Sequence, residues 1–470
     1  MKRHRIKRLS LAAGATALLA SAMPAAAQSV DALLDTLVNK GVLTVKEAND
    51  LREKSDQDYS TAFAAKTGVP DWVTAFKING DFRGRYESFN ANNPNFVDQA
   101  RWRYRARIGF VAVMKENFEV GIKLGSGNLD SGIPTGGIDP ISNNQTLQNN
   151  GSKKGIFIDQ AYAKWAPLTS PDLTGAITFG KMQNPLLFTP LVFDNDYTPE
   201  GGAIQLGRTL GSRHNLTLAS GAFILDEIGS SSKDPFMFDN QLILNSTWSP
   251  KLSTSLGAAF LWISHPEQLG NAAVPNINVG NTRQGLLPTP PNGTDYPRYD
   301  FNPLVLDASA TYTLASFPMY PGAFPITVAA EGMINPAVPN EDLINGVMTN
   351  PGKYGYNAGI TFGKAGKKGT WELSYNYRYL GANSWYEELT DSDFGAYYQV
   401  AQPSSGQSAG YRSGTNVKGN ILKLAYSPFD MLTLSATWFR TSLINEQLIS
   451  SSTTWDSSMN RIQIDAMLKF

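Results

Sequence analysis

The stretch RWRYRARIGF, residues 101–110, places arginine at every second position: Arg101, Arg103, Arg105 and Arg107. Trp102, Tyr104, Ile108 and Phe110 take the alternate places. Successive side chains of a strand point to opposite faces, so this is one strand with a guanidinium face and an apolar face. A lipid-facing arginine at mid-bilayer costs roughly 2–4 kcal/mol, so in a membrane four on one strand must face away from hydrocarbon. One arrangement satisfies both faces. The apolar side meets hydrocarbon and the arginine side meets water inside a closed barrel, since a sheet in lipid must pair every backbone donor and acceptor.

The same two-residue rhythm recurs from Ala75 to the end of the chain. FKINGDFRGRY sets Phe76, Ile78, Phe82 and Tyr86 against Lys77, Asn79, Asp81, Arg83 and Arg85. WELSYNYRY and the terminal RIQIDAMLKF alternate in the same way. Segments of this kind number about sixteen, with spans near 75–87, 101–114, 117–127, 154–166, 172–181, 202–209, 214–225, 238–249, 252–264, 304–315, 324–335, 353–363, 370–380, 417–427, 431–442 and 461–470. The pattern predicts an all-β fold, a transmembrane antiparallel barrel. Connections after even strands are short (115–117, 249–251, 427–430), and several after odd strands are long (128–153, 265–303, 381–416). Short periplasmic turns and long outer loops are the outer-membrane pattern. Trp165, Trp248, Trp371, Tyr426 and Phe470 fall at one set of strand ends, and Trp102, Trp262 and Trp438 at the other. That matches two interfacial girdles. Strands of this number make a barrel too wide for wall side chains to fill, leaving an aqueous lumen.

Ahead of the strands, residues 1–27 run from basic through apolar to small residues, the organisation of a cleaved secretory signal. Residues 28–60 predict a periplasmic helical hairpin: Leu33, Leu34, Leu37 and Val38 recur at helical spacing, Gly41 ends the first helix, and Thr44 with Glu47 caps a second. A linker, 61–74, leads to the barrel at 75–470. The chain has no cysteine, which excludes disulfide scaffolds, thiolate metal sites and thiol nucleophiles. Its 40 basic and 40 acidic residues balance, but five of the bases and none of the acids lie in the signal, so the remainder carries a net charge of −5. That argues against a nucleic-acid partner.

Arg83 and Arg85 should neighbour the four arginines of the next strand and form a basic wall lining the pore. The third long-side loop, about residues 181–202, carries Asp194, Asp196 and Glu200 and is stiffened by Pro185, Pro190 and Pro199. Folded inward, it would set an acidic constriction opposite the basic wall. The alternative is that Asp81, Glu87 and Glu119 neutralise the arginines as ordinary wall pairs. A Ca²⁺ site on Asp194, Asp196 and Glu200 lacks the EF-hand spacing. No cofactor motif is present. His214 and His265 fall at opposite ends of the barrel, which argues against a catalytic constellation.

The signal, LLDTLVNKGVLTVKEANDL, GKMQNPLLFTPLVFDNDYTPEGGAIQL and the terminal Phe470 together resemble the putative-porin family of Gram-negative outer-membrane proteins. That resemblance implies an outer-membrane channel for passive diffusion of small hydrophilic solutes and ions, embedded in outer-membrane lipid. Similarity to general porins in strand count implies homotrimers and an inward third loop. The last strand ending in Phe470 resembles the signal read by the barrel-assembly machinery. The other classes weighed are a closed-barrel enzyme and a loop-mediated adhesin or structural anchor. The acidic chain and the basic wall push ion preference in opposite directions.

Overall fold

The computed structural model describes Leu51 and residues 70–93, 96–128, 139–229, 231–270, 279–284, 296–402, 408–450 and 455–470. The signal and, apart from Leu51, the helical hairpin lie outside the described residues. Sixteen antiparallel strands close into a barrel. In chain order they are β1 Val73–Ala91, β2 Gln99–Met114, β3 Phe118–Ser126, β4 Ile156–Thr169, β5 Leu173–Lys181, β6 Glu200–Leu210, β7 His214–Ile224 and β8 Phe236–Ser249. They continue as β9 Leu252–Ile263, β10 Leu304–Leu314, β11 Phe324–Ile334, β12 Tyr354–Gly363, β13 Trp371–Leu380, β14 Val417–Phe429, β15 Leu432–Leu443 and β16 Met459–Lys469. Each pairs with its sequence neighbour, and β1 pairs with β16 from Asp81↔Lys469 to Ala91↔Met459.

The faces divide as the alternation requires. Phe76, Ile78, Phe82, Trp102, Ile108 and Phe110 are exposed on the outside, while Asp81, Arg83, Arg85, Glu87 and Arg105 are buried within. Apolar side chains continue outward around the barrel, including Leu256, Phe260, Leu306, Tyr356, Leu424 and Ile464. A hydrocarbon surround would cover this band.

Loops at the long end are named here L1 to L8 in order. L2 (127–155), L3 (182–199), L5 (264–303) and L7 (381–416) contribute buried residues to the interior. Leu186, Leu191, Val192 and Phe193 of L3 form one apolar cluster with Trp385, Tyr386 and Leu389 of L7, Leu269 and Phe301 of L5, and the inward Phe223, Met237, Leu261, Val305 and Met333 of the wall. Phe193 meets Trp385 edge-on at 6.0 Å between ring centres. The lumen is therefore not an open pipe. Loop mass fills the β6–β11 side, a second apolar cluster sets Phe394, Ala396 and Tyr398 of L7 against Val417, Ile421, Phe439 and Leu443 on the β14–β15 side, and β1, β2 and β16 carry the charged wall.

At the seam the Phe470 backbone and ring both meet Gly80. Gly80 N–H donates to the Phe470 carbonyl at 2.9 Å, and Phe470 N–H donates back to the Gly80 carbonyl at 3.1 Å. A Cβ on Gly80 would lie 2.4 Å from the Phe470 ring and 2.5 Å from the Arg107 carbonyl oxygen. The ring thus covers a bare glycine backbone, an aromatic rescue of the closing pair. Because one obstacle is backbone, Gly80→Val should prevent the last pairing. The expected result is loss of the heat-modifiable folded band on a semi-native gel. A folded band at wild-type intensity would show that the seam tolerates the side chain.

Candidate functional site

The site is built where β1, β2 and β16 meet, because closure brings the first and last strands side by side. The four arginines of β2 lie on the lumen face, each within reach of carboxylates on other elements. Arg105 donates to Asp81 at 2.9 Å and to Asp196 at 2.6–2.7 Å. Arg107 donates to Asp81 at 2.7 Å and to Asp196 at 3.0 Å. Arg101 bonds Glu87 through Nε, and Arg103 reaches the same carboxylate at 3.5 Å. On β1, Arg83 donates to the Asn144 side chain at 2.6 Å. Arg85 forms a two-nitrogen fork on Asp465 at 2.7 and 2.8 Å and also holds Asp393 at 2.9 Å.

Arg461 of β16 completes the wall. It donates to Glu87 at 2.5 Å and to Asp393 at 2.8 Å, with its guanidinium stacked over Phe89, Tyr411 and Phe439. Glu87 is fully buried beneath three guanidiniums. The assembled group holds seven arginines (Arg83, Arg85, Arg101, Arg103, Arg105, Arg107 and Arg461) and five carboxylates (Asp81, Glu87, Asp196, Asp393 and Asp465). It carries a net charge of +2.

L3 crosses the lumen to reach this wall. Its course is tied at Gln205 of β6, which donates to Pro185 O at 3.1 Å, and at Gln241 of β8, which exchanges two bonds with the Leu187 backbone at 2.7 and 2.8 Å. Glu331 of β11 accepts from both the Thr189 N–H, at 3.1 Å, and its hydroxyl. Asp196 is the far tie, on Arg105 and Arg107. Burial pushes the Asp196 carboxyl up, but the Arg105, Arg107 and Arg83 guanidiniums outweigh it and hold the group below the usual carboxylate range.

Asp194 does not face the arginines. It is buried against L7, accepting from Ser392 N–H at 2.9 Å and Asp196 N–H at 2.8 Å, while its own N–H donates to Leu389 O at 2.8 Å. Burial, with the Asp196 and Asp391 carboxylates, pushes its carboxyl well above the usual range. Glu200 opens β6 rather than lying in the loop, and it pairs with Lys181 at 2.9 Å in an exposed position. The three acids expected to act together thus have separate partners. L3 touches the basic wall directly through Asp196 rather than standing across a gap from it. Of the acids expected on the wall, Asp81 and Glu87 do pair with the ladder, while Glu119 instead accepts from the Tyr162 hydroxyl at 2.6 Å.

Arg461, Asp393 and Tyr411 escaped the sequence reading. Arg461 lay on the polar face of the last strand, and barrel closure alone would have set it beside Glu87. Asp393 and Tyr411 sit in a long loop with no local signal. His214 bonds Ser246 at 2.8 Å at the short-turn end, and His265 lies in L5 beside Glu267 at 3.3 Å, so the two imidazoles serve different ends of the barrel. Among the described residues no group of three or more metal-donor side chains is gathered.

Comparison with known proteins bears on the segment that holds the ladder and L3. Residues 92–264 match the putative-porin family. The matched segment runs from L1 to the loop after β9 and includes Arg101 to Arg107, Asp194, Asp196 and Glu200. No curated protein matches the chain in sequence. Similar solved structures include OmpF of Salmonella typhi in complex with daunomycin, at 9% identity and TM-score 0.46, covering 86% of this chain and 99% of that one. OprB of Pseudomonas putida aligns at 9% identity and TM-score 0.47, covering 87% and 96%. The outer-membrane protein OmpT of Vibrio cholerae aligns at 11% identity and TM-score 0.42, covering 85% and 99%.

Proposed function

We propose that the chain is a porin of the outer membrane, a channel through which small hydrophilic solutes and ions diffuse passively. The observation that carries this reading is a closed barrel, apolar outside, whose inner face holds an ion-paired net of seven arginines and five carboxylates. A wall kept polar at this cost has water or solute as its counterpart. In the finer reading, Arg83, Arg85 and Arg101 to Arg107 form a basic pore lining, and L3, held to it by Asp196, narrows the passage. The porin-family match supports the same reading. With it come the signal peptide, recognition of Phe470 by the barrel-assembly machinery, and homotrimers in outer-membrane lipid.

The test is single-channel recording of the purified full-length chain in planar bilayers. Discrete, stable conductance steps are expected. A barrel that inserts yet passes no ions would favour an enzyme or adhesin on a sealed scaffold and would overturn the channel.

A further inference from the structure

At the L2 and L7 end of the ladder, away from the Asp196 contact, a polar pocket of about 240 Å³ opens against the wall. Arg101, Arg103 and Arg461 line it, together with Asn144 of L2 and Tyr411 of L7. Its size suits a solute of a few non-hydrogen atoms rather than a passing ion alone. The donors in it exceed what the protein uses. Arg101 commits Nε to Glu87, and its two terminal nitrogens have no hydrogen-bond partner among the described residues. Arg103 reaches Glu87 only at 3.5 Å, gives one bond of 3.1 Å to Asn144 O, and has a buried, unpartnered Nε. Both share their carboxylate with Arg461, so three guanidiniums converge on one fully buried acid. Such forks suit planar two-oxygen acceptors.

Two carboxyls also line the pocket. Asp393 is taken by Arg85 and Arg461. Asp139 accepts from Ile141 N–H at 3.0 Å, and burial pushes its carboxyl up to about 6. It opposes an anion most when ionised, so it sets the affinity without providing it.

We propose that this pocket is a binding site for small carboxylate solutes, which seat a carboxylate on the free terminal nitrogens of Arg101, in the field of Arg103, beneath L2 and L7. The site rests on the channel reading above and adds to it a class of solute held on the way through. Arg101 is the binding fork and Arg103 the cation beside it. Arg461 positions Glu87 and Asp393 behind them.

The test uses succinate against the full-length chain in two readouts. In planar bilayers at low salt, succinate is expected to interrupt the chloride current, and equimolar glycerol is not. Arg101→Gln with Arg103→Gln should weaken that block by about tenfold, the scale of losing charge-assisted hydrogen bonds. Arg101→Lys, which keeps the charge and loses the fork, should fall between. Asp139→Asn should strengthen it. Lys164→Gln removes a charge from β4 near the short turn, where Lys164 faces Glu119 across the strand pair, and should leave the block unchanged. Equal loss in Lys164→Gln and in the double variant would mean a general field, and the pocket would fall while the channel stands. Titration calorimetry of succinate into the detergent-solubilised chain reads the site without a current. Saturable heat that disappears in the double variant is expected even if the barrel conducts nothing. No saturable heat in the wild-type chain overturns the site.

Discussion

Replacing Arg101, Arg103, Arg105 and Arg107 together with glutamine should turn the channel toward cations. The wall holds seven guanidiniums against five carboxylates, and the change leaves three against five, so the local charge passes from +2 to −2. One charge at about 4 Å is worth about 1 kcal/mol even in bulk water, which is about fivefold in local ion concentration. Removing four should change the cation-to-anion permeability ratio by about tenfold or more once screening by the remaining ions is included. Glutamine is preferred to alanine because Asp81 and Asp196 would otherwise be left buried without their arginine donors, and Glu87 with Arg461 as its one remaining cation, and such groups cost more than the ion pairs contribute. Reversal potential in a salt gradient is the measurement. An unchanged value would mean that ions pass along another face of the lumen, such as the vestibule lined by Asp159, Asp226, Glu227 and Glu388.

Releasing L3 should have the second large effect. Glu331→Ala with Gln241→Ala removes both acceptors from the Thr189 and Leu187 N–H groups and the Gln241 donor to Leu187 O. These bonds are part-buried, so each contributes about 0.5–1.5 kcal/mol to holding the loop. The loop then has its apolar packing against Trp385 and Leu389, the Gln205 tie and the Asp196 ion pairs to hold it. Single-channel conductance should rise severalfold and become noisier, and larger neutral solutes should enter. Conductance at the wild-type level would show that the apolar cluster and the remaining ties fix the course of L3 without the Glu331 and Gln241 bonds. The Asp196 end is left intact in this variant so that ion preference stays as it was and the two predictions read separate properties.

These predictions use contacts of unequal visibility in the sequence. The strands were legible because alternation is local: Trp102 and Ile108 face out and Arg103 and Arg105 face in whatever the neighbours are. The bilayer outside enforces the choice at every pair of residues, since a slip by one position would turn the arginines to lipid. All sixteen segments read from the sequence correspond to strands of the barrel, with ends shifted by a few residues. Glu87 and Asp81 were visible as partners of the ladder because they lie on the adjacent strand.

The loops were not legible in this way. Asp194, Asp196 and Glu200 are within seven residues of one another, yet they go to L7, to β2 and to Lys181 respectively. Nothing in their spacing distinguishes them, because the decision is made by what each meets across the lumen. The pairs that organise the site join residues far apart in the chain: Arg105 with Asp196, Arg85 with Asp393, and Arg461 with Glu87. The sequence alone determined the closed barrel, its two faces and the cationic strip, because a two-residue period needs only a bilayer to read it. The tertiary structure decided which carboxylates meet those cations, how far L3 and L7 fill the lumen, and where a pocket is left, because those follow from long-range packing inside a space that the strands only enclose.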